Sequence, residues 1–376
     1  MDRNTIEQFF ELIRSGLWER PADPEMFRDG ADWKALLRIA SMQSLNGIFA
    51  DGADTLPSGL TPPPDIARQL FVTLEGTRRA NLRLESVLAE LVTLLRSHGI
   101  EGILLKGQGL ARDYPVPHHR MCGDIDFYTG SDYERSVSLI LGMDGCENGE
   151  EDCEKHFHLT YKACTIEIHR HVAVSPDPFR NRRLQRWADS LLGNPSALRG
   201  IEIGGVRVNL PPVAFDSVFI LLHLSEHLLW GGIGLRQLCD WCRYLHVHGG
   251  EIDRTRLGRD LNMLGLMNIW RILGWIAVNR LGLPAEEMPF YSPESRKKAL
   301  GCLQITLRQG NFGRYDPVRR ASADSGFLRR KAQNAMKVVH QQSELFRLLP
   351  REVLSYLPWY LADGVRRILQ GNDKKP

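Results

Sequence analysis

The residues of this chain that are best suited to chemistry lie between positions 104 and 128. Lys106 and Gly107 follow a short apolar run, and Asp124 and Asp126 are separated by one residue in a second apolar segment. Side chains alternate between the faces of a strand, so both Asp carboxylates should project from the same face. Neighbouring carboxylates repel each other unless a cation lies between them, and such oxygen ligands suit Mg²⁺ or Mn²⁺. A glycine turn adds N–H groups that bind anionic oxygen, so the pattern indicates phosphoryl or nucleotidyl transfer.

The sequence around these residues resembles the nucleotidyltransferase superfamily typified by polymerase β. It is similar to an uncharacterised bacterial family whose turn reads Lys-Gly-x-x-Leu and whose strand reads Asp-Ile-Asp-Leu. The matching positions are Lys106-Gly107 with Leu110, Tyr114-Pro115, Arg120, Asp124-Ile125-Asp126-Phe127, Glu167 with His169, Gly234-Leu235-Arg236-Gln237, Asp240-Trp241 and Gly310-Asn311-Phe312-Gly313. The resemblance runs from about residue 30 to 315 and is densest between 103 and 170.

The resemblance implies a catalytic and metal-binding role for three acids. Asp124 and Asp126 would bind Mg²⁺ (or Mn²⁺), and Glu167 on a later strand would be a third ligand, the base that takes the acceptor's proton, or both. Three carboxylates on adjacent strands can hold two metal ions for an in-line displacement.

The resemblance also implies which residues bind substrates. An NTP donor would be bound by Lys106, Gly107, Gln108 and Arg120, although the superfamily usually has Gly or Ser where this chain has Gln108. Candidates for the acceptor side are His169, His223 and Arg236. For Arg120 the plain alternative is a surface arginine in a loop. For His169 it is a polar residue at the rim of the sheet.

Two other patterns have simpler interpretations. His223-Leu-Ser-Glu226-His227 has the order of one class of zinc peptidase, but its apolar surroundings favour a buried helix that lines the acceptor side. A basic region at 314–337, with Arg319, Arg320, Arg329, Arg330 and Lys331, could meet a polyanion. Charge clusters are more often solvated surface.

Composition limits the class of protein. The net charge of +3 in 376 residues gives no global field that would attract nucleic acid, so a nucleic-acid partner is not favoured. Seven cysteines without a regular framework suit a reducing compartment. No apolar stretch reaches the roughly 18 residues of a transmembrane segment, and the start does not resemble a signal peptide. We therefore expect a cytoplasmic protein.

The pattern of elements predicts an α+β fold. A small mixed β-sheet nucleotidyltransferase core should be enclosed by helices and followed by an all-helical domain. We predict a helical N-terminal cap at 1–98, the catalytic core at 99–210, a helical C-terminal domain at 211–370 and a disordered tail at 371–376. Within these, helices are expected over 4–18, 31–48, 65–98 and 131–141, paired strands over 156–162 and 165–172, and a hairpin at Gly204-Gly205.

These expectations lead to one favoured function and two alternatives. The favoured function is a metal-dependent transfer of NMP from an NTP to an unidentified acceptor (a small molecule, sugar, peptide or protein), with release of pyrophosphate. One alternative is a toxin-like nucleotidyltransferase that acts on tRNA or protein. The other is a non-catalytic nucleotide-binding or scaffold protein.

Overall fold

The computed structural model of the chain describes residues 2–152, 155–316 and 327–369. The helices are α1 (Arg3–Trp18), α2 (Trp33–Met42), α3 (Asn46–Asp54), α4 (Pro64–Ser97), α5 (Gln108–Ala111), α6 (Tyr133–Leu141), α7 (Pro178–Leu192), α8 (Val213–Trp230), α9 (Leu235–His248), α10 (Arg254–Met263), α11 (Met267–Asn279), α12 (Arg296–Gln309), α13 (Phe327–Phe346) and α14 (Pro350–Leu369). The strands are β1 (Ile103–Leu104), β2 (Asp124–Tyr128), β3 (Cys146–Asp152), β4 (His156–Tyr161), β5 (Cys164–His169), β6 (Arg199–Ile203) and β7 (Val206–Leu210).

The strands of the described residues form one mixed sheet in the order β3-β4-β5-β2-β1-β7-β6. The β2–β5 and β1–β7 pairs are parallel, and the remaining neighbours are antiparallel. Because β2 lies between β1 and β5, the sheet brings the turn after β1, the Asp-Ile-Asp segment and residues 165–167 of β5 side by side.

The long helix α4 and the shorter α6 cover one face of this sheet. Ile125 and Phe127 of β2, together with Ile166 and Ile168 of β5, are buried in one cluster with side chains of both helices. The contributing leucines of α4 recur at steps of three or four residues, which places them on one side of the helix: Leu84, Leu88, Leu91 and Leu95. The intervening residues of β2 and β5 therefore project from the opposite face.

A second hydrophobic cluster joins helices from both ends of the chain. It contains Phe9 of α1, Phe49 of α3, Trp241 of α9, Trp270 of α11 and Tyr356 of α14. The helices before and after the sheet thus share a buried core, while the domain boundaries near 98 and 210 stay predictions. Among the described residues, no helix is both long enough and apolar enough to span a membrane.

The α+β class predicted from the sequence is confirmed, with a mixed sheet, many helices and a helical C-terminal region. The predicted long helix over 65–98 corresponds to α4, and Gly204 and Gly205 join β6 to β7 as expected. The predicted tail at 371–376 lies outside the described residues.

Three elements differ from the sequence-based expectation. The helix expected over 31–48 is divided into α2 and α3, where Ser44 has a left-handed φ of 56°. The β3 strand was not predicted because its polar, acidic sequence lacks alternating apolar residues, as suits a strand at the edge of the sheet. The α7 helix was also not predicted, although Asp177 before Pro178 is a typical helix start and caps the N–H groups of Phe179 and Arg180.

Candidate active site

The three predicted acids project from two neighbouring strands. In the parallel register of β2 and β5, Asp126 pairs with Glu167 and Asp124 pairs with Thr165. Adjacent strands lie about 4.8 Å apart, so side chains at paired positions can reach one cation. One oxygen from each of Asp124, Asp126 and Glu167 lies within 4.8 Å of the others. The structure therefore brings these three carboxylates together on the face opposite α4.

The surroundings of the three acids separate their pKa values. Repulsion from Asp126, reinforced by burial, raises the pKa of Asp124 to about 6. Burial would also raise the pKa of Asp126, but Lys106 and a hydrogen bond with His169 outweigh it and hold that pKa well below its usual range. Burial acts on Glu167 in the same way, yet the hydrogen bond with His169 lowers its pKa overall. This concentration of negative charge favours a bound cation.

Lys106 contributes a positive charge to this acidic site. Its Nζ lies 2.9 Å from Oδ1 of Asp126 and 3.2 Å from Nε2 of His223. Burial would lower the pKa of Lys106, but the charges of Asp126, Asp124 and Glu167 raise it, so the ammonium stays protonated.

Gly107 allows the chain to turn directly after Lys106. It has a φ of 59° and precedes α5, in a conformation that is costly for residues with a side chain. A Cβ atom at this position would lie 3.3 Å from the carbonyl oxygen of Asp124. The Leu105 N–H donates to the carbonyl oxygen of Asp126 at 3.0 Å. The turn therefore passes close to the strand that carries the acids.

Gln108 holds this turn against β2. Its side chain is buried, and Nε2 donates to the carbonyl oxygen of Asp124 at 3.1 Å. Its Oε1 is buried and accepts no hydrogen bond from the described residues. The side chain thus has a role in positioning the turn, and the predicted contact between Gln108 and a nucleotide stays a prediction.

Arg120 lies in the protein interior, where its guanidinium pairs with Asp240 of α9. Nε donates to Oδ1 at 3.0 Å, and Nη2 donates to Oδ2 at 2.8 Å. The hydroxyl of Tyr114 donates to the same Oδ1 at 2.7 Å. Arg120 is 3% exposed, so it is not the surface arginine of the plain alternative, and its predicted contact with a nucleotide stays a prediction. The pair ties the loop before β2 to α9.

Arg236 lies one helical turn before Asp240, but it is the weaker partner of that acid. Its Nη1 is 4.0 Å from Oδ2 of Asp240 and donates to the carbonyl oxygen of Met121 at 3.1 Å. Its Nε is buried and has no hydrogen-bond partner among the described residues. The charge of Arg236 also acts on Asp124. This side chain thus keeps donor capacity beside the acidic triad.

His223 and His227 of α8 reach the same site, with their Nε2 atoms 3.1 Å apart. Burial lowers the pKa of both imidazoles, that of His227 to about 3, and the nearby charge of Lys106 adds to this effect. Both are therefore neutral at pH 7, and Nε2 of His223 can accept a hydrogen bond from Lys106. The groups of described residues that could hold a metal do not include this pair. The zinc-peptidase interpretation therefore gains no support.

Two residues at the site were not predicted from the sequence. His156 of β4 pairs with His169 across the β4–β5 ladder, and its Nε2 lies 3.7 Å from Oε2 of Glu167. Phe312, with a left-handed φ of 54°, places its ring 5.0 Å from that of His227. The alternation of His156-Phe157-His158 could have indicated the first. The Gly310–Gly313 segment was noted only through the family resemblance.

The basic region at 314–337 was the other predicted candidate for binding. Residues 317–326 lie outside the described part of the chain, and the side chains of 327–335 are not described. Its predicted contact with a polyanion therefore stays a prediction.

The donor atoms of the triad fit a hard divalent cation. All three donors are carboxylate oxygens, which Mg²⁺ and Mn²⁺ prefer. No side chain of the described residues donates a hydrogen bond to the carboxylate of Asp124, and repulsion from Asp126 together with burial raises its pKa. A cation between the acids would relieve this repulsion.

Comparison with known protein families agrees with this geometry. The model of a family described as uncharacterised nucleotidyltransferase matches residues 29–282, well over half of the chain. Searches of curated proteins and of solved structures gave no match. The matched range contains the glycine turn, all three acids and both histidines of α8. The chain therefore belongs to this family of uncharacterised nucleotidyltransferases.

Proposed function

We propose that this chain is a metal-dependent nucleotidyltransferase that transfers NMP from an NTP to an acceptor and releases pyrophosphate. An oxygen of the acceptor, from a hydroxyl or a phosphate, forms a bond to the α-phosphorus of the NTP. The bond from that phosphorus to the oxygen bridging the α- and β-phosphates breaks. The acceptor is a small molecule, sugar, peptide or protein. The observation that carries the proposal is the convergence of Asp124, Asp126 and Glu167 beside the Lys106-Gly107 turn.

Asp124, Asp126 and Glu167 are the residues that would hold Mg²⁺ or Mn²⁺. When bound, such ions neutralise the triphosphate and stabilise the attacking and leaving oxygens of an in-line displacement. Glu167 is 19% exposed in its side chain, whereas Asp126 is 1% exposed, so Glu167 is the more accessible of the two to an acceptor. This difference supports a second role for Glu167 as the base that takes the acceptor's proton.

Lys106 and the N–H of Gly107 are assigned to the β- and γ-phosphates. The Lys106 ammonium is held at the triad by Asp126 and by His223, and its side chain is 15% exposed. It is therefore charged, fixed in place and still within reach of an anion that enters the site. Such a fixed charge needs little reorganisation when pyrophosphate leaves.

Arg236, His223 and His169 are assigned to the acceptor side of the site. Arg236 has a donor, Nε, that the described residues leave without a hydrogen bond. His223 is neutral and contacts Lys106, so it can help to fix the lysine or accept a hydrogen bond from an acceptor. His169 holds Asp126 through its Nε2 at 2.9 Å.

Labelled nucleotides test the proposed reaction class. The full chain is incubated with Mg²⁺, extract fractions from the organism that encodes it, and an NTP that carries label at either the α- or the γ-phosphate. Nucleotidyl transfer moves the α label to an acceptor and leaves the γ label in pyrophosphate. Transfer of the γ label instead would assign the chain to phosphoryl transfer, and transfer of neither would favour the non-catalytic alternative.

Variants connect that reaction to the triad. The Asp124→Asn/Asp126→Asn double variant should lose transfer of the α label. The matched control is Asp132→Asn, because this acid lies just after β2, is 43% exposed in its side chain and makes no capping hydrogen bond. Loss of transfer in the control as well would show that the effect does not come from the triad.

A further inference from the structure

The β4–β5 ladder places three histidines and an acid on one face beside the triad. His156 lies directly opposite His169, and His158 lies opposite Glu167, in an antiparallel register. Directly opposed residues project from the same side of a sheet. The rings of His156 and His169 have centroids 5.1 Å apart. Glu167, two residues before His169, shares their face.

The ligand atoms of this group lie close to the spacing that one metal ion requires. Oε2 of Glu167 lies 3.5 Å from Nε2 of His169 and 3.7 Å from Nε2 of His156. All three residues offer ligand atoms within 4.8 Å of one another. Metal–ligand bonds of roughly 2.0–2.2 Å put ligands of a tetrahedral ion about 3.3 Å apart. A small contraction of the observed group would therefore complete such a site.

The surroundings of His169 supply a second, independent observation. Its Nδ1 lies 3.3 Å from the carbonyl oxygen of His171, and a carbonyl can only accept, so Nδ1 carries the hydrogen. Nε2 then faces two carboxylates, with Oδ1 of Asp126 at 2.9 Å and Oε2 of Glu167 at 3.5 Å. A bare nitrogen lone pair would repel both, so without an ion Nε2 carries the proton that it donates to Asp126, and a bound metal ion would take the place of that proton. Metal-binding histidines commonly donate their other N–H to a backbone carbonyl in this way.

The donor set distinguishes this group from the triad. Imidazole nitrogens suit Zn²⁺, Co²⁺ and related ions, whereas Mg²⁺ prefers oxygen ligands and retains its waters. We propose that His156, His169 and Glu167 form a second metal site that binds a first-row transition ion of the Co²⁺ or Zn²⁺ kind. The site shares Glu167 with the triad, so the chain would hold two chemically different divalent ions side by side. This assignment rests on the β4–β5 geometry and is independent of whether the chain transfers nucleotides.

Cobalt binding in excess Mg²⁺ tests the second site. The full chain is freed of metal with a chelator, saturated with Mg²⁺ and titrated with Co²⁺. Equilibrium dialysis measures the stoichiometry, and visible absorption reports whether imidazole ligands are bound. The expected result is one Co²⁺ that excess Mg²⁺ does not displace, with the absorption of a nitrogen-containing site. Complete displacement by Mg²⁺, or absorption typical of a hydrated ion, would overturn the proposal.

Variants locate the bound ion. His156→Gln should weaken Co²⁺ binding at least about tenfold, since it removes a direct ligand. The matched control is His158→Gln, on the same strand and 3.8 Å from the other oxygen of Glu167 but outside the group. It should bind Co²⁺ like the wild type. Equal losses in both variants, or no loss in His156→Gln, would contradict the assignment.

Two further variants keep the test decisive. His169→Gln should also weaken Co²⁺ binding, and if its buried position prevents folding, the more accessible His156 carries the test. Asp124→Asn removes an acid of the triad but none of the three proposed ligands. It should retain Co²⁺ and lose Mg²⁺-dependent NTP binding, so the failure of one proposal can be told from the failure of the other. Loss of Co²⁺ in Asp124→Asn would place the ion in the triad instead.

Discussion

Lys106 and Asp126 form an ion pair of 2.9 Å in which the carboxylate is 1% exposed. The same oxygen of Asp126 lies 2.9 Å from Nε2 of His169. One acid therefore fixes a lysine from the glycine turn and a histidine from β5. Because three segments meet at this carboxylate, Asp126 has both a structural role and the position proposed for a metal ligand.

Replacement of Lys106 tests whether its charge binds the phosphates. We expect Lys106→Met to weaken Mg²⁺-dependent NTP binding by about tenfold or more, since hydrogen bonds to charged groups contribute roughly 1.5–3 kcal/mol. Calorimetry measures the affinity. Lys162→Met is the control, because Lys162 pairs with Glu90 at an exposed position. Unchanged affinity in Lys106→Met would remove the lysine from the phosphate site.

Alanine substitutions at two glycines distinguish the effect of backbone strain from the effect of a changed site. Gly107 and Gly99 both have positive φ values, 59° and 73°, so alanine at either position should destabilise the fold, and more at Gly107 because its ψ of −113° lies outside the left-handed helical region. A Cβ at Gly107 approaches the carbonyl oxygen of Asp124 to 3.3 Å, whereas one at Gly99 meets nothing within 4 Å. We therefore expect reduced NTP affinity in Gly107→Ala alone. Similar affinities in both variants would contradict a role for the turn.

Asp124 and Asp126 could be predicted as a pair because their geometry is local, whereas Glu167 was indicated by the family resemblance. Alternation along β2 puts Asp124 and Asp126 on one face, and the Glu167-x-His169 pattern does the same for β5. The sequence did not predict the β2–β5 register that brings the three acids together; the structure shows it. Ile125 fixes the orientation of β2, because it is buried in the cluster with α4.

Contacts between distant segments could not be predicted in the same way. Arg120 and Asp240 are 120 residues apart, and their pairing depends on how α9 docks against the loop before β2. The contact of Lys106 with His223 depends likewise on the position of α8. His156 lay on a predicted strand, but its approach to Glu167 follows from the β4–β5 register. Sequence periodicity predicts which side chains share a face of a helix or strand, but it does not predict which other element that face packs against.

The buried pair of Arg120 and Asp240 should be important for stability. Arg120→Met leaves the Asp240 carboxylate buried without its partner, which costs about 3–5 kcal/mol in comparable pairs. Urea unfolding measures this loss. In the Arg120→Met/Asp240→Asn double variant, part of the loss should be recovered because neither charge of the Arg120–Asp240 pair is left buried without the other.

An exposed ion pair provides the control for this prediction. Arg28 and Glu25 are 67% and 59% exposed in their side chains, so Arg28→Met should change the free energy of unfolding by less than about 1 kcal/mol. Losses of equal size in Arg28→Met and Arg120→Met would contradict the importance of the buried pair.

The buried carboxylate of Glu11 should make the stability of the fold depend on pH. It is 4% exposed and accepts hydrogen bonds from Arg20, Arg14 and the N–H of Asp23. Burial would raise its pKa, but these bonds outweigh burial and lower it from 4.5 to about 2. Because the pKa of Glu11 is higher in the unfolded chain, the unfolded chain binds the proton more readily. The stabilisation of the fold by the ionised Glu11 carboxylate is therefore complete above about pH 4.5 and is lost as the pH falls towards 2.

The variant Glu11→Gln isolates this contribution. At pH 7 it should be less stable than the wild type by about 1–3 kcal/mol, because it lacks the charge that Arg14 and Arg20 bind. Unfolding measured from pH 7 down to pH 3 should show the difference shrinking. A constant difference over this range would mean that the ionised carboxylate is not responsible.

Nucleotide binding by the full chain tests the central claim most directly. Calorimetry with ATP, GTP, CTP and UTP, each with and without Mg²⁺, compares the wild type with Asp124→Asn/Asp126→Asn and with the Asp132→Asn control. The account predicts Mg²⁺-dependent binding of at least one NTP by the wild type and the control, and its loss in the folded double variant. Binding that is independent of Mg²⁺ and survives in the double variant, or no binding by the folded wild type, would contradict it.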